Sequence, residues 1–143
     1  ARADGAQAFA QKLVSFDIAG DAYDVRTKTQ DMGIPWREGL WECRKGDSVE
    51  AGEKWTEGYF DILFVDTLHT FDHTLREIRV WEKFVRGAII LHDTGNTEPH
   101  QNGVAPAIDA FLRGGGARNW ILEDHPCVAE RDVGLGILWR VGR

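Results

Sequence analysis

Apolar positions in the middle of the chain fall into three runs with two different periods. Phe60–Val65 (FDILFV) is a short apolar run that stops at Asp66. Thr70–Val85 places Phe71, Leu75, Ile78, Trp81 and Val85 three or four residues apart, the spacing of one helix face. Ala88–Leu91 (AIIL) is a second short run, stopping at His92 and Asp93. The order predicts strand, helix, strand, and near-continuous apolar strands are those a parallel sheet buries on both faces. In open α/β sheets the ligand sits outside the carboxyl ends of the strands. Asp66, His69, His92 and Asp93 are therefore expected to converge on one rim.

The flanking sequence extends the alternation. Ala1–Gln11 is rich in Ala and reads as the end of a helix. Leu13–Phe16 reads as a strand ending at Asp17. Asp21–Met32 is a polar helix broken at Gly33-Ile34-Pro35, and Leu40–Arg44 is a weaker strand ending in Gly46-Asp47-Ser48. Val49–Glu57 is a short helix. After the polar loop Thr94–Asn102, Val104–Leu112 is a helix with Pro106 in its first turn, where proline is tolerated, and Gly114-Gly115-Gly116 stops it. Trp120–Leu122 and Gly136–Val141 form a final strand pair. Alternating strands and helices with a terminal pair predict an α/β sheet with helices on both faces. Four successive strand ends carry acidic or polar groups: Asp17, Asp47-Ser48, Asp66 and His92-Asp93. That repetition points to a ligand lying along the rim.

Composition narrows the partners. The 143 residues suit one domain, read here as a single partial domain over the whole sequence. With 17 basic and 23 acidic residues the net charge is −6, and no basic cluster with interleaved aromatics appears, which argues against nucleic acid. No apolar run approaches the roughly 20 residues that cross a bilayer, so no membrane partner is expected. No signal peptide is visible. The two cysteines, Cys43 and Cys127, are isolated, without metal-type spacing, and fit a reducing, cytoplasmic setting. The six tryptophans are read as core packing.

The combination FDILFVDTLHTFDHTLREIRVW, then RGAIILHDT, then GVAPAIDAFL resembles the class I S-adenosylmethionine-dependent methyltransferases. The likeness is to the small O-methyltransferase branch that includes the catechol, macrocin and cephalosporin-hydroxylase-like enzymes, and it covers roughly Lys12 to Arg143. The resemblance implies a Rossmann-like sheet and methyl transfer to a hydroxyl of a small molecule or sugar. By the same resemblance Asp17 would bind the ribose hydroxyls, Asp47 and Ser48 would contact adenine, and Asp66 would lie beside the cofactor. Asp66, with His92 and Asp93, would hold a divalent cation such as Mg²⁺ or Mn²⁺. His69 would be the general base. The chemistry suits these groups: a carboxylate can accept two hydroxyl hydrogen bonds at once, a cation on oxygen ligands acidifies a hydroxyl, and a histidine can take its proton near neutral pH.

The sequence departs from that family in two places. His92 stands where the metal-dependent members carry a carboxylate, so the site would favour Mn²⁺ or Zn²⁺ over Mg²⁺, or bind no metal at all. No glycine-rich loop precedes Asp17, so the first strand, central in the family's sheet, is expected to be missing. The domain is then read as N-terminally truncated, with association into a homo-oligomer as one way to fill the gap. Two alternatives follow. One is an inactive nucleotide-binding remnant. The other is a metal-dependent polysaccharide deacetylase-like hydrolase, suggested by HTFDH (His69 to His73) and VSFDIAGD (Val14 to Asp21), which would need Asp17, His69 and His73 on one zinc.

Overall fold

A computed structural model describes residues 12–18, 41–95, 102–126 and 133–142. The expected helices over 1–11 and 21–32 lie outside these residues. The chain divides into two compact units, Ala1–Ala51 and Gly52–Arg143.

The first unit contains a two-stranded parallel sheet of β1 (Leu13–Asp17) and β2 (Trp41–Lys45), paired from Leu13↔Trp41 to Asp17↔Lys45. Glu42 ties the pair together. It sits 2.8 Å from Lys12 Nζ and receives Arg44 Nε at 2.8 Å. The Arg44 guanidinium, then Lys12, hold the Glu42 carboxyl down at about 2. The backbone N–H of Gly46 closes on the Asp17 carbonyl at 3.0 Å. Helix α1 (Ser48–Glu53) follows and is shorter than the expected Val49–Glu57, because Trp55 N–H turns back to the Gly52 carbonyl and the indole N–H of Trp55 reaches the Gly58 carbonyl at 2.9 Å.

The second unit is built on a four-stranded sheet in the order β3-β4-β6-β5, formed by β3 (Phe60–Val65), β4 (Val85–His92), β5 (Trp120–His125) and β6 (Leu135–Arg140). β3 and β4 run parallel; β6 is antiparallel to both β4 and β5. The expected parallel pair and terminal strand pair are both present. β4 is twice the expected length, starting at Val85 rather than Ala88. Helix α2 (Phe71–Trp81) ends early in a 3₁₀ turn, Glu82–Phe84, so Val85 falls in the strand instead of on the helix face. Gly87 sits where the β3–β4 register shifts, and a Cβ there would lie 2.5 Å from the Asp61 carbonyl oxygen. Glycine is what lets the two backbones approach.

Helices α2 and α3 (Val104–Arg113) cover one face of this sheet. Leu75 and Ile78 from α2, and Val104, Ala107, Ile108 and Phe111 from α3, pack with Val65, Ile89, Leu91, Trp120 and Leu138. Burying each large aliphatic side chain contributes about 1.5–3 kcal/mol. An exposed ion pair such as Arg113–Asp109 contributes about 0.2–1 kcal/mol. The helix-covered face therefore holds the unit together. Trp81 closes its lower edge in a ring cluster with Trp55, Phe60 and Phe84. Three of the described tryptophans, Trp55, Trp81 and Trp120, are buried as expected, and Trp139 is exposed.

The opposite face carries Ile62 and Phe64 on β3, Ala88 and Ile90 on β4, Ile137 and Trp139 on β6, and Ile121 and Glu123 on β5, as the pairing register and strand alternation dictate. Ile62, Phe64, Ile121 and Trp139 are exposed there. The Trp139 indole N–H donates to Glu123 at 2.6 Å and, with His125, holds that carboxyl below the usual range.

Candidate active site at the ends of two parallel strands

Asp66 is the first residue after β3, and Asp93 the first after β4. Parallel pairing brings both strand ends to the same edge. Between Asp66 and α2 the chain makes a tight turn in which Thr70 N–H donates to the Leu68 carbonyl at 2.8 Å. That turn folds His69 back over the strand ends. Its Nδ1 lies 2.8 Å from Asp93 Oδ2 and its Nε2 lies 3.3 Å from Asp66 Oδ1. His92, the last residue of β4, joins them: Nδ1 is 2.9 Å from Asp93 Oδ1 and 3.5 Å from Asp66 Oδ1. The short approach of His92 to Asp93 is one of distance only, since its buried Nδ1 has no aligned hydrogen-bond partner. All four residues named from the sequence thus meet on one rim.

Asp93 is buried and adopts φ 62°, the one non-glycine residue with positive φ among those described. Asp is one of the few side chains that enter this region. A left-handed non-glycine residue costs of order 1–3 kcal/mol and persists where surrounding structure fixes it, which is common at functional sites. Here the conformation accompanies a carboxylate placed against two histidines.

Asp66, His69 and Asp93 each offer one ligand atom, all within 4.8 Å of one another. A mixed oxygen and nitrogen set of this kind suits Mn²⁺ or Zn²⁺ better than Mg²⁺. A neutral imidazole carries one N–H, so His69 can donate to only one of its two carboxylates. The other contact is open to a second proton or a shared cation. His73 is not part of this group of ligand atoms, and its Nε2 lies 3.5 Å from Glu77. The deacetylase-like trio therefore loses His73 as a partner of His69.

Asp17 and Asp47 belong to the first unit. Asp17 ends β1. Asp47 precedes α1 and its Oδ1 accepts the Glu50 N–H at 2.9 Å, a helix-capping contact that uses one carboxylate oxygen. Ser48 is the first residue of α1.

Residues 1–94 match the sequence family described as a methyltransferase domain. The chain belongs to that family. Solved methyltransferase structures share its fold. A proposed O-methyltransferase from Klebsiella pneumoniae is 19% identical, with a TM-score of 0.66 over 92% of this chain and 62% of its own. The O-methyltransferase TomG of Streptomyces achromogenes, solved with S-adenosylmethionine and involved in tomaymycin synthesis, is 14% identical, with a TM-score of 0.66 and the same two coverages. An O-methyltransferase of Bacillus cereus, solved with S-adenosylhomocysteine, is 14% identical, with a TM-score of 0.60 over 92% and 74%. This methyltransferase domain thus spans 62% of the length of the first two. No curated protein matches the sequence. Among the described residues, no helix is long and apolar enough to cross a membrane.

Sequence reasoning passed over three residues that build the site of this methyltransferase domain. Thr67 donates its hydroxyl to Glu77 Oε2 at 2.6 Å, and Glu77 is 2% exposed inside α2. Gly103, the residue before α3, donates its N–H to the His69 carbonyl at 3.0 Å. Glu77 carried a signal: it lies one turn before Trp81, on the buried stripe. Gly103 stood in the GV pair ahead of a helix, but its contact with His69 depends on packing that no local pattern encodes.

Proposed function

We propose that this domain transfers the methyl group of S-adenosylmethionine to a hydroxyl of a small molecule or sugar. The observation that carries the reading is His69, held between Asp93 and Asp66 at the carboxyl ends of adjacent parallel strands. Asp93 lies against Nδ1 and Asp66 against Nε2, and a ring nitrogen turned from its carboxylate toward the acceptor would take the acceptor's proton. The acceptor oxygen attacks the sulfonium methyl, the S–CH₃ bond breaks, and the sulfur leaves as a neutral thioether. Holding the groups in line supplies much of the acceleration, and removing the proton makes the hydroxyl a competent nucleophile. Asp17 would bind the ribose hydroxyls, and Asp47 with Ser48 the adenine.

The donor set around His69 also fits a divalent cation on Asp66, His69 and Asp93, with His92 alongside. Bound there, a cation would act as a Lewis acid on the acceptor oxygen. One imidazole nitrogen cannot both ligate a metal and accept the proton, and metal dependence separates the two roles. Turnover retained in chelator supports His69 as the base. Turnover that requires Mn²⁺ supports it as a ligand.

The test is a calorimetric titration of the chain with S-adenosylmethionine, with and without Mg²⁺ or Mn²⁺, alongside His69→Ala. The variant is expected to keep cofactor affinity and to lose turnover by 10²–10⁴-fold, the usual range for a general base. Unchanged turnover would remove His69 from the mechanism. Absence of cofactor binding would favour the inactive remnant.

A further inference from the structure

Gly103 precedes α3 with φ −85° and ψ −14°, ordinary right-handed values that any residue can adopt. Its backbone shape therefore gives no reason for glycine. As the residue before a helix, Ser, Thr, Asp or Asn would add a side-chain cap and glycine is also accepted, and no side-chain cap is present here. The reason lies in what Gly103 touches. A Cβ on Gly103 would fall 2.1 Å from Phe71 N, 2.5 Å from the Thr70 carbonyl carbon and 2.8 Å from the His69 carbonyl oxygen. All three are backbone atoms, which cannot swing aside as a side chain does. The Gly103 N–H donates to that same His69 carbonyl at 3.0 Å.

We propose that Gly103 is a positioning residue for His69, pressing the backbone of the His69–Phe71 turn into the one placement that sets the ring between Asp66 and Asp93. The proposal rests on the reading of His69 as the working group of the site. The physical sequence is short. The absent side chain lets the start of α3 seat directly on the turn. The N–H then fixes the His69 carbonyl, and with it the direction in which the His69 side chain leaves the backbone. A displacement of about 1 Å at such a group can cost 10²-fold in rate, so a methyl group pushed against three backbone atoms reaches the chemistry without touching substrate.

A matched control is available at the other end of α3. A Cβ on Gly116 would lie 2.6 Å from the Phe111 ring, a crowding of core packing far along the chain from His69. The experiment compares Gly103→Ala and Gly116→Ala in the full chain by ¹⁵N-edited NMR of the histidine rings at one fixed pH. Thermal unfolding is followed on the same samples. Both variants are expected to unfold at lower temperature. Only Gly103→Ala is expected to shift the His69 ring resonances and to lower turnover at least 10-fold. His69 resonances unchanged in a folded Gly103→Ala chain would overturn the proposal. Equal His69 changes in both variants would also overturn it, since general loosening would then be the cause. If Gly103→Ala does not fold, amide exchange in the unsubstituted chain decides. A Gly103 N–H protected like the β4 core supports the clamp, and free exchange refutes it. Because the ring resonances need no turnover, failure of the clamp is distinguishable from failure of the methyl-transfer reading.

Discussion

Glu77 is 2% exposed, an unusual place for a carboxylate, and it reaches Thr67 on one side and His73 on the other. Buried polar groups are costly unless they are hydrogen-bonded. Thr67 is the residue after Asp66, so the bond that satisfies Glu77 also anchors the turn that carries the site. Thr67→Val keeps the side-chain shape and deletes the donor. It is expected to lower stability by about 1.5–3 kcal/mol, the range for a hydrogen bond to a charged group, read from urea unfolding. A loss below about 0.5 kcal/mol would show that Glu77 is satisfied without Thr67. The meeting of Asp66, His69, His92 and Asp93 was legible because strand ends of a parallel sheet share an edge. The burial of Glu77 and the seat of Gly103 were not. The first needs a partner ten residues away in sequence, and the second needs two backbones to touch.

Elements were recognisable where one period ran without interference. Helix α3 buries Val104, Ala107, Ile108 and Phe111, the stripe its sequence spells out. Helix α2 was harder to end, because Val85 lies four residues past Trp81 and fits the helical stripe, while it also begins a strand. What decides is tertiary. Arg140 Nη1 donates to the Glu82 carbonyl at 2.9 Å and the Val85 carbonyl at 2.8 Å. Its guanidinium lies over the Trp120 ring at 5.1 Å, and the Trp120 indole N–H binds Glu82 at 3.0 Å. These contacts from β5 and β6 tie down the 3₁₀ turn and hold Val85 in β4. Arg140→Met, which retains the aliphatic stem and removes the donors, is expected to destabilise the chain by about 2–3 kcal/mol. Amide exchange should rise first around Glu82–Val85. Uniform exchange across β4 and α2 would contradict this account.

At the scale of the molecule, the four-stranded sheet has one face packed under helices and one that leaves Ile62 61%, Phe64 57%, Ile121 57% and Trp139 46% exposed. Contiguous apolar surface of this kind attracts further apolar surface. The chain is expected to bind a hydrophobic dye and to self-associate as its concentration rises. The double substitution Ile62→Thr, Phe64→Thr keeps strand-forming residues and should reduce both effects. A dye-negative wild-type chain that sediments as a monomer at high concentration would refute the expectation. The other sheet poses a different problem. Among the described residues β1 and β2 form a two-stranded parallel sheet. Asp17 ends β1, so its placement depends on that pairing. On the proposed reading of Asp17 as the ribose ligand, any fraction of time the pair spends open lowers the apparent affinity by that fraction. Stiffening β1 against β2 would then tighten nucleoside binding without a single new contact to the nucleoside.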